Sequence, residues 1–338
     1  MAEPVEEKQL TIFITGAGQG VGLAATTLAT RAGHKVVGTT ELGSKGAYRI
    51  RRAGGVPIYP DLTRESAIYS ALQMAKADVI INAASQVVNG IPQYNLDYDE
   101  KLAWLEASTE AIMAAAGRAD ITRVIHISAA SIYGDTHHEA AKEDAHLDLS
   151  NALARALNET EHTVFDGGVP AYVLRTGFII GTHEASAEVA KAITGGGSII
   201  GGKQHTAWAH EEDVASAAVA IAEKTGDENH ETIYNIASDI TVSPDEYIEK
   251  FGQAVGIGAP SPLGGFMQQF RSSDVQRHLM SISTLLDTTK AREELGWSPE
   301  GTIDNALDKM LLLWRAEEAE ITVYHQEEES DSTGIVKA

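Results

Sequence analysis

The 338-residue sequence has no cysteine, which excludes disulfides, thiolate metal sites and cysteine nucleophiles and makes the chain indifferent to the redox poise of its compartment. Basic residues are scarce: 26 Lys and Arg stand against 48 Asp and Glu, a formal net charge of −22. The mean surface field therefore repels phosphate backbones and anionic lipid, and neither nucleic acid nor a membrane is an expected partner. No run reaches the roughly 18 apolar residues that cross a bilayer. The opening MAEPVEEKQL lacks the basic and apolar regions of an export signal, so a cytoplasmic location is expected. Proline is sparse as well, 9 residues against 31 glycines, in a chain that is 43% apolar and 22% charged. That composition belongs to globular proteins with a sizeable core.

From Leu10 to about Thr176, short β-branched runs alternate with amphipathic or Ala-rich stretches. The runs are LTIFIT, HKVVGT, VPIY, ADVIIN, TRVIHIS and AYVLRT; between them lie helix-like segments at 20–32, 44–53, 63–76, 96–117 and 149–165. Alternation of this kind predicts an α/β fold, a Rossmann-type doubly wound parallel sheet with helices on both faces. After Gly181 the rhythm loosens, through helices at 185–193, 211–224 and 244–255, the strand TIYNIA, and a turn at GAPSPLGG. The expected division is a dinucleotide-binding domain over 8–180, a smaller mixed C-terminal lobe over 181–318 with some segments free to return to the main sheet, and an acidic mobile tail over 326–338.

The first strand runs directly into Gly16-Ala17-Gly18-Gln19-Gly20-Val21-Gly22 and then a helix. Four glycines in seven residues are costly in chain entropy. At the carboxyl end of a first parallel strand the usual reason is a pyrophosphate, which needs close main-chain approach and a helix N-terminus. Gly16, Gly18, Gln19, Gly20, Val21 and Gly22 are accordingly candidate cofactor contacts. At the end of the second strand, where an acid would accept from the adenosine ribose, stand Thr40 and then Glu41. Thr40 leaves room for a 2′-phosphate that Ser44 and Lys45 could contact, whereas Glu41 would repel it, so NAD and NADP both stay open. Asp61 and Leu62 follow the third strand, and Ala83 and Ala84 the fourth. Asp61 would either bind the adenine amino group or cap the next turn; the small alanines would let a cofactor pass close to the backbone.

Taken together, TGAGQGVG, PDLTRE, DVIINAAS, HISAASIYG, LRTGFIIG, WAHEEDVA and KAREELGW resemble successive landmarks of the extended short-chain dehydrogenase/reductase superfamily, in its NAD-dependent epimerase/dehydratase-like branch, over roughly residues 10–315. The resemblance implies an NAD(P)-binding Rossmann domain with a small lobe over a substrate cleft. It also implies a Tyr-x-x-x-Lys pair on one helix and a Ser or Thr after the fifth strand, the tyrosine acting as acid/base. Here those positions fall on Leu153, Leu157 and Ala129, none able to transfer a proton, and an asparagine common on the preceding helix aligns with Leu105.

The remaining catalytic candidates are Ser128, Tyr133, His137 and His138, with Ser128 also in reach of the cofactor. The His-rich GDTHHEAAKEDAH follows the fifth strand, and histidine has the right unperturbed pKa for acid/base work. No metal site is expected. Phe178 replaces the amide with which sugar-nucleotide members of the superfamily hold their substrate, which argues against a UDP-sugar and for an apolar wall, serving either a small lipophilic substrate or packing alone. Arg175 is expected to pair locally, and Arg271 and Arg277 are anion-binding candidates. The expected function is a cofactor-bound accessory, sensing or structural protein; the alternative is an NAD(P)-dependent oxidoreductase or epimerase with a non-standard acid such as His137 or His138. By family analogy the partner is a second copy of the chain or a larger complex.

Overall fold

The structure, a computed structural model, describes residues 9–85, 97–183, 186, 190, 201–224, 231–256 and 273–316. Strands β1 (Thr11–Thr15), β2 (Lys35–Thr39), β3 (Val56–Ile58), β4 (Val79–Asn82), β5 (Arg123–Ala129), β7 (Ala171–Thr176) and β10 (Glu231–Ile236) form one sheet in the order β10-β7-β5-β4-β1-β2-β3. Every pairing in it is parallel. The order reverses between β1 and β4, which opens a crevice at the carboxyl ends of those strands. Central strands are buried along their whole length, as helices on both faces require: all seven residues of β5 are buried.

Helices α1 (Gly20–Arg31), α2 (Gly46–Arg52), α3 (Glu65–Ala75), α4 (Tyr98–Arg118) and α5 (Ala152–Phe165) fill the connections. On one face Ile12, Ile14, Ile81 and Ile127 pack under α1 and α6 (Glu211–Glu223). The small residues Ala25, Ala29, Ala215, Ala218 and Ala222 let these two helices lie close together. On the other face Phe13, Ile80, Val124 and Val173 meet α3, α4 and α5. Strand β10 and helix α6 thus come from beyond residue 180 and complete the main unit.

The smaller lobe holds a three-stranded sheet, β11 (Thr241–Val242), β9 (Thr206–His210) and β8 (Phe178–Ile180), and a two-stranded one of β6 (Ala140–Ala141) and β12 (Leu285–Leu286). Its core is aromatic. Trp208 stacks on Tyr247 at 4.8 Å and takes the edge of Phe178 at 5.5 Å. Helix α7 (Pro244–Ala254) starts on a full capping box between Ser243 and Glu246, with Pro244 in its first turn. Helix α8 (Asp274–Ser281) follows, then α9 (Thr289–Leu295), which stops at Gly296 in the left-handed region, φ 61°. A last helix covers 303–316. Neither α8 nor the short strands of the lobe are among the expected elements. The expected helix at 185–193, the GAPSPLGG turn and the acidic tail lie outside the described residues, apart from Ser186 and Ala190, which are helical.

Candidate functional site

The glycine turn packs closely against neighbouring main chain. Gly16 (φ 63°) and Gly20 (φ 53°) occupy the left-handed region that glycine tolerates. A Cβ on Gly16 would stand 2.9 Å from Ala84 Cα, and one on Gly22 2.3 Å from the Gly16 carbonyl oxygen. The turn therefore abuts Ala83 and Ala84 at the end of β4, and α1 starts against the turn. Gln19 precedes α1 without a side-chain capping bond, and the first turn of α1 carries no acid. A helix N-terminus left this way suits an anionic diphosphate, so the residues present fit a dinucleotide.

Beneath the turn, one row of polar side chains crosses three strands in register, Thr15, Asn82 and His126. Thr15 donates to Asn82 Oδ1 at 2.7 Å, and Asn82 Nδ2 reaches His126 Nδ1 at 3.1 Å. Thr15 Oγ1 also accepts from the Ala84 N–H at 3.1 Å, which fixes the β4 end beside the turn. Burial pushes His126 down to about 4, so it is neutral in the fold. At the end of β2, Thr39 accepts from the Gly16 N–H at 3.2 Å, and half-buried Thr40 pairs with Ser44 at 3.0 Å. Glu41 is exposed. Of the two roles open to Asp61, turn capping is the one realised within the chain: Oδ1 accepts from the Thr63 N–H at 3.0 Å and from its hydroxyl at 2.7 Å. These bonds hold its carboxyl below the usual range. Leu62 leans on the core under α3.

The positions expected to carry proton transfer are brought together, and they are apolar. Ala129, Leu153, Leu157 and Leu105 belong to one buried cluster with Tyr98, Leu102, Leu279 and Met280. Leu153 and Leu157 are each only 1% exposed. The candidates Ser128 and Tyr133 are turned to other work. Ser128 donates to Glu161 Oε1 at 2.5 Å, and Arg175 clamps the same carboxylate through Nε at 3.1 and 3.2 Å and Nη2 at 2.6 Å. The Tyr133 hydroxyl accepts from Arg175 Nη1 at 3.0 Å and donates to Asn235 Oδ1 at 2.8 Å. Burial raises the Tyr133 pKa further from a useful acid's. Burial opposes the charge on Arg175, but the Glu161 bonds and charge outweigh it and raise its pKa. The expectation that Arg175 pairs locally holds, and the Ser128 and Tyr133 hydroxyls are both engaged in this network.

His137 and His138 sit in a surface turn at φ 50° and 69°, both exposed, and the His137 ring is 87% accessible. Its nearest charged partner is Asp135 at 3.6 Å, so the turn does not carry these rings into the apolar cluster. Among the described residues no group of three His, Asp or Glu is arranged to hold a metal. Arg277 pairs with Asp274 on the surface of α8, and Arg271 lies outside the described residues. A small cleft beside β8 is lined by Ala129, Ser131, Phe178, Thr206, Leu279 and Ile282, among others, with no charged side chain. Ser131 Oγ is buried there with no partner among the described residues. Glu161 and Asn235, which hold Ser128, Arg175 and Tyr133, carry no motif that marks them in the sequence. Glu161 was within reach, since it follows Leu153 by eight residues and Leu157 by four and so shares their helix face.

Fold and turn together define a Rossmann-type dinucleotide-binding protein. The chain belongs to the NAD dependent epimerase/dehydratase family, whose pattern it matches over residues 12–237, and its cofactor is accordingly NAD or NADP. It is similar to the low-salt glycan biosynthesis protein Agl12 of Haloferax volcanii, 26% identical over 252 residues, covering 70% of this chain and 74% of the relative. The UDP-glucose-4-epimerase of Stenotrophomonas maltophila, solved with NAD and formylated UDP-arabinopyranose, superposes with a TM-score of 0.74 at 18% identity, covering 92% of this chain and all of that one. The UDP-glucose 4-epimerase of Bifidobacterium longum, solved with NAD+ and UDP, gives 0.74 at 19% identity over 91% and 98% of the two chains. Among the described residues no helix is long and apolar enough to cross a membrane.

Proposed function

We propose that this chain is an atypical member of its family that holds a dinucleotide on the glycine turn without the usual proton transfer, and acts as a cofactor-bound accessory, sensing or structural protein. The observation that carries this reading is the apolar cluster: Ala129, Leu153, Leu157 and Leu105 replace the whole polar constellation at once and are packed as core. A bound dinucleotide supplies a hydride donor or acceptor, but turnover also needs a group that moves a proton at the substrate oxygen. Among the described residues the cleft offers only hydroxyls, those of Thr176, Thr206 and Thr284 donating to backbone carbonyls and that of Ser131 without a partner, and no charged side chain lines it to act as a base. The uncharged lining likewise disfavours the diphosphate of a UDP-sugar, the ligand class of the structural relatives, and suits a small uncharged ligand. A second copy of the chain or a larger complex is the partner this role requires.

The test is calorimetric titration of the whole chain with NAD and NADP, followed by incubation of the loaded protein with nucleotide sugars. Binding without any change in cofactor oxidation state or sugar configuration is expected. Turnover that the His137→Ala/His138→Ala variant abolishes would replace this reading with that of an oxidoreductase or epimerase using a histidine acid. Absence of binding by a folded protein would reduce the fold to a scaffold.

A further inference from the structure

The adenosine end of the crevice differs chemically from the acidic remainder of the molecule. Between residues 40 and 52 the chain carries Lys45, Arg49, Arg51 and Arg52 against a single carboxylate, Glu41, although its net charge is −22. Thr40, the first residue after β2, stands where an acid would hold the ribose hydroxyls of NAD and would repel a 2′-phosphate. Its hydroxyl lies 3.0 Å from Ser44 Oγ. The same spot borders the diphosphate turn: a Cβ on Gly18 would come within 2.8 Å of Thr40 Oγ1 and 2.6 Å of Gly46 Cα. Half-buried Arg49 reaches across from α2, its Nη1 donating to the Gly18 carbonyl at 3.4 Å. One guanidinium is thereby held beside the turn and beside two hydroxyls able to redirect their protons.

Resting on the dinucleotide reading above, we infer that Thr40, Ser44 and Arg49 form a phosphomonoester subsite and that the chain selects NADP over NAD. Arg49 supplies charge-assisted hydrogen bonds to the 2′-phosphate, Thr40 and Ser44 donate to its remaining oxygens, and Lys45, Arg51 and Arg52 raise the local potential. Exposed Glu41 sets one opposing charge against these four cations, and its backbone carbonyl accepts from the Ser44 hydroxyl at 2.8 Å.

The proposal is tested by titrating the full chain with NADP and NAD at one fixed salt concentration. NADP should bind at least about tenfold more tightly. Arg49→Ala should lower NADP affinity at least about tenfold more than it lowers NAD affinity, and Thr40→Asp should invert the preference. Equal or tighter binding of NAD overturns the proposal, as does an Arg49→Ala variant that weakens both nucleotides alike. Failure of both nucleotides to bind a chain that melts cooperatively overturns the dinucleotide reading itself, an outcome distinct from a lost preference.

Discussion

Replacing Glu161 with alanine tests how the buried network under the apolar cluster is held. Glu161 and Arg175 are each 4% exposed, and both carboxylate oxygens are filled, by Arg175 Nε and Nη2 and by the Ser128 hydroxyl. Glu161→Ala leaves a guanidinium that cannot shed its proton and a hydroxyl without its acceptor, both out of water. Breaking one side of a buried pair costs about 3–5 kcal/mol. For a chain of this length the entropy of unfolding is about 0.7 kcal/mol/K, so the melting temperature should fall by about 4–7 °C. The assay is urea and thermal unfolding followed by tryptophan fluorescence at low and high salt; screening should hardly alter the difference, since the pair is buried. The Glu161→Ala/Arg175→Met double variant should recover most of the loss, because an apolar replacement leaves no charge stranded. A single variant within about 1 kcal/mol of the parent, or a double variant no better than the single, would refute this account.

Leu157→Lys, which puts an ammonium into the apolar cluster, should cost about 3–5 kcal/mol in urea unfolding, whereas Leu157→Met should cost less than about 1.5. Gly22→Ala forces a Cβ against the Gly16 carbonyl; it should lose about 1–3 kcal/mol and dinucleotide binding with it, read by thermal shift with and without cofactor. Glu211, which accepts from the Thr182 N–H at 2.6 Å, is pushed up to about 7 by burial despite those bonds. Because its folded pKa lies above the unfolded one, the fold binds the extra proton and loses stability as pH rises from about 4.5 through 7, by about 3 kcal/mol in all. Glu211→Gln should therefore gain on the parent protein across that window; parallel pH profiles of the two proteins would contradict it.

The parallel sheet was legible because β1, β4, β5 and β7 are apolar on both faces and bounded by helices long enough to cross over. So was the glycine turn, where Gly16, Gly20 and Gly22 each meet a backbone constraint. The lobe was harder to read: β6, β11 and β12 have two residues each, too short to show a period. That apolar residues, Ala129, Leu153 and Leu157, stand at the positions the resemblance gives to proton transfer was visible from spacing. The fate of Ser128 and Tyr133 was not, because their partners Glu161, Arg175 and Asn235 lie 33 to 102 residues away in sequence. His137 and His138 looked chemical for their composition alone, and the left-handed turn that exposes them leaves no periodic trace.

Strand β10 closes the outer flank of the main sheet beside β7, yet it is contributed from Glu231–Ile236. A nascent polypeptide that has emerged only as far as β8 has already made β7, with Tyr172, Val173 and Leu174, but has nothing to lay alongside it. Until some sixty further residues leave the ribosome, that flank is a row of unpaired amides over an uncovered oily face, the kind of surface on which chains stick to one another. Premature termination anywhere between β8 and β10 should thus yield aggregates instead of a smaller working domain.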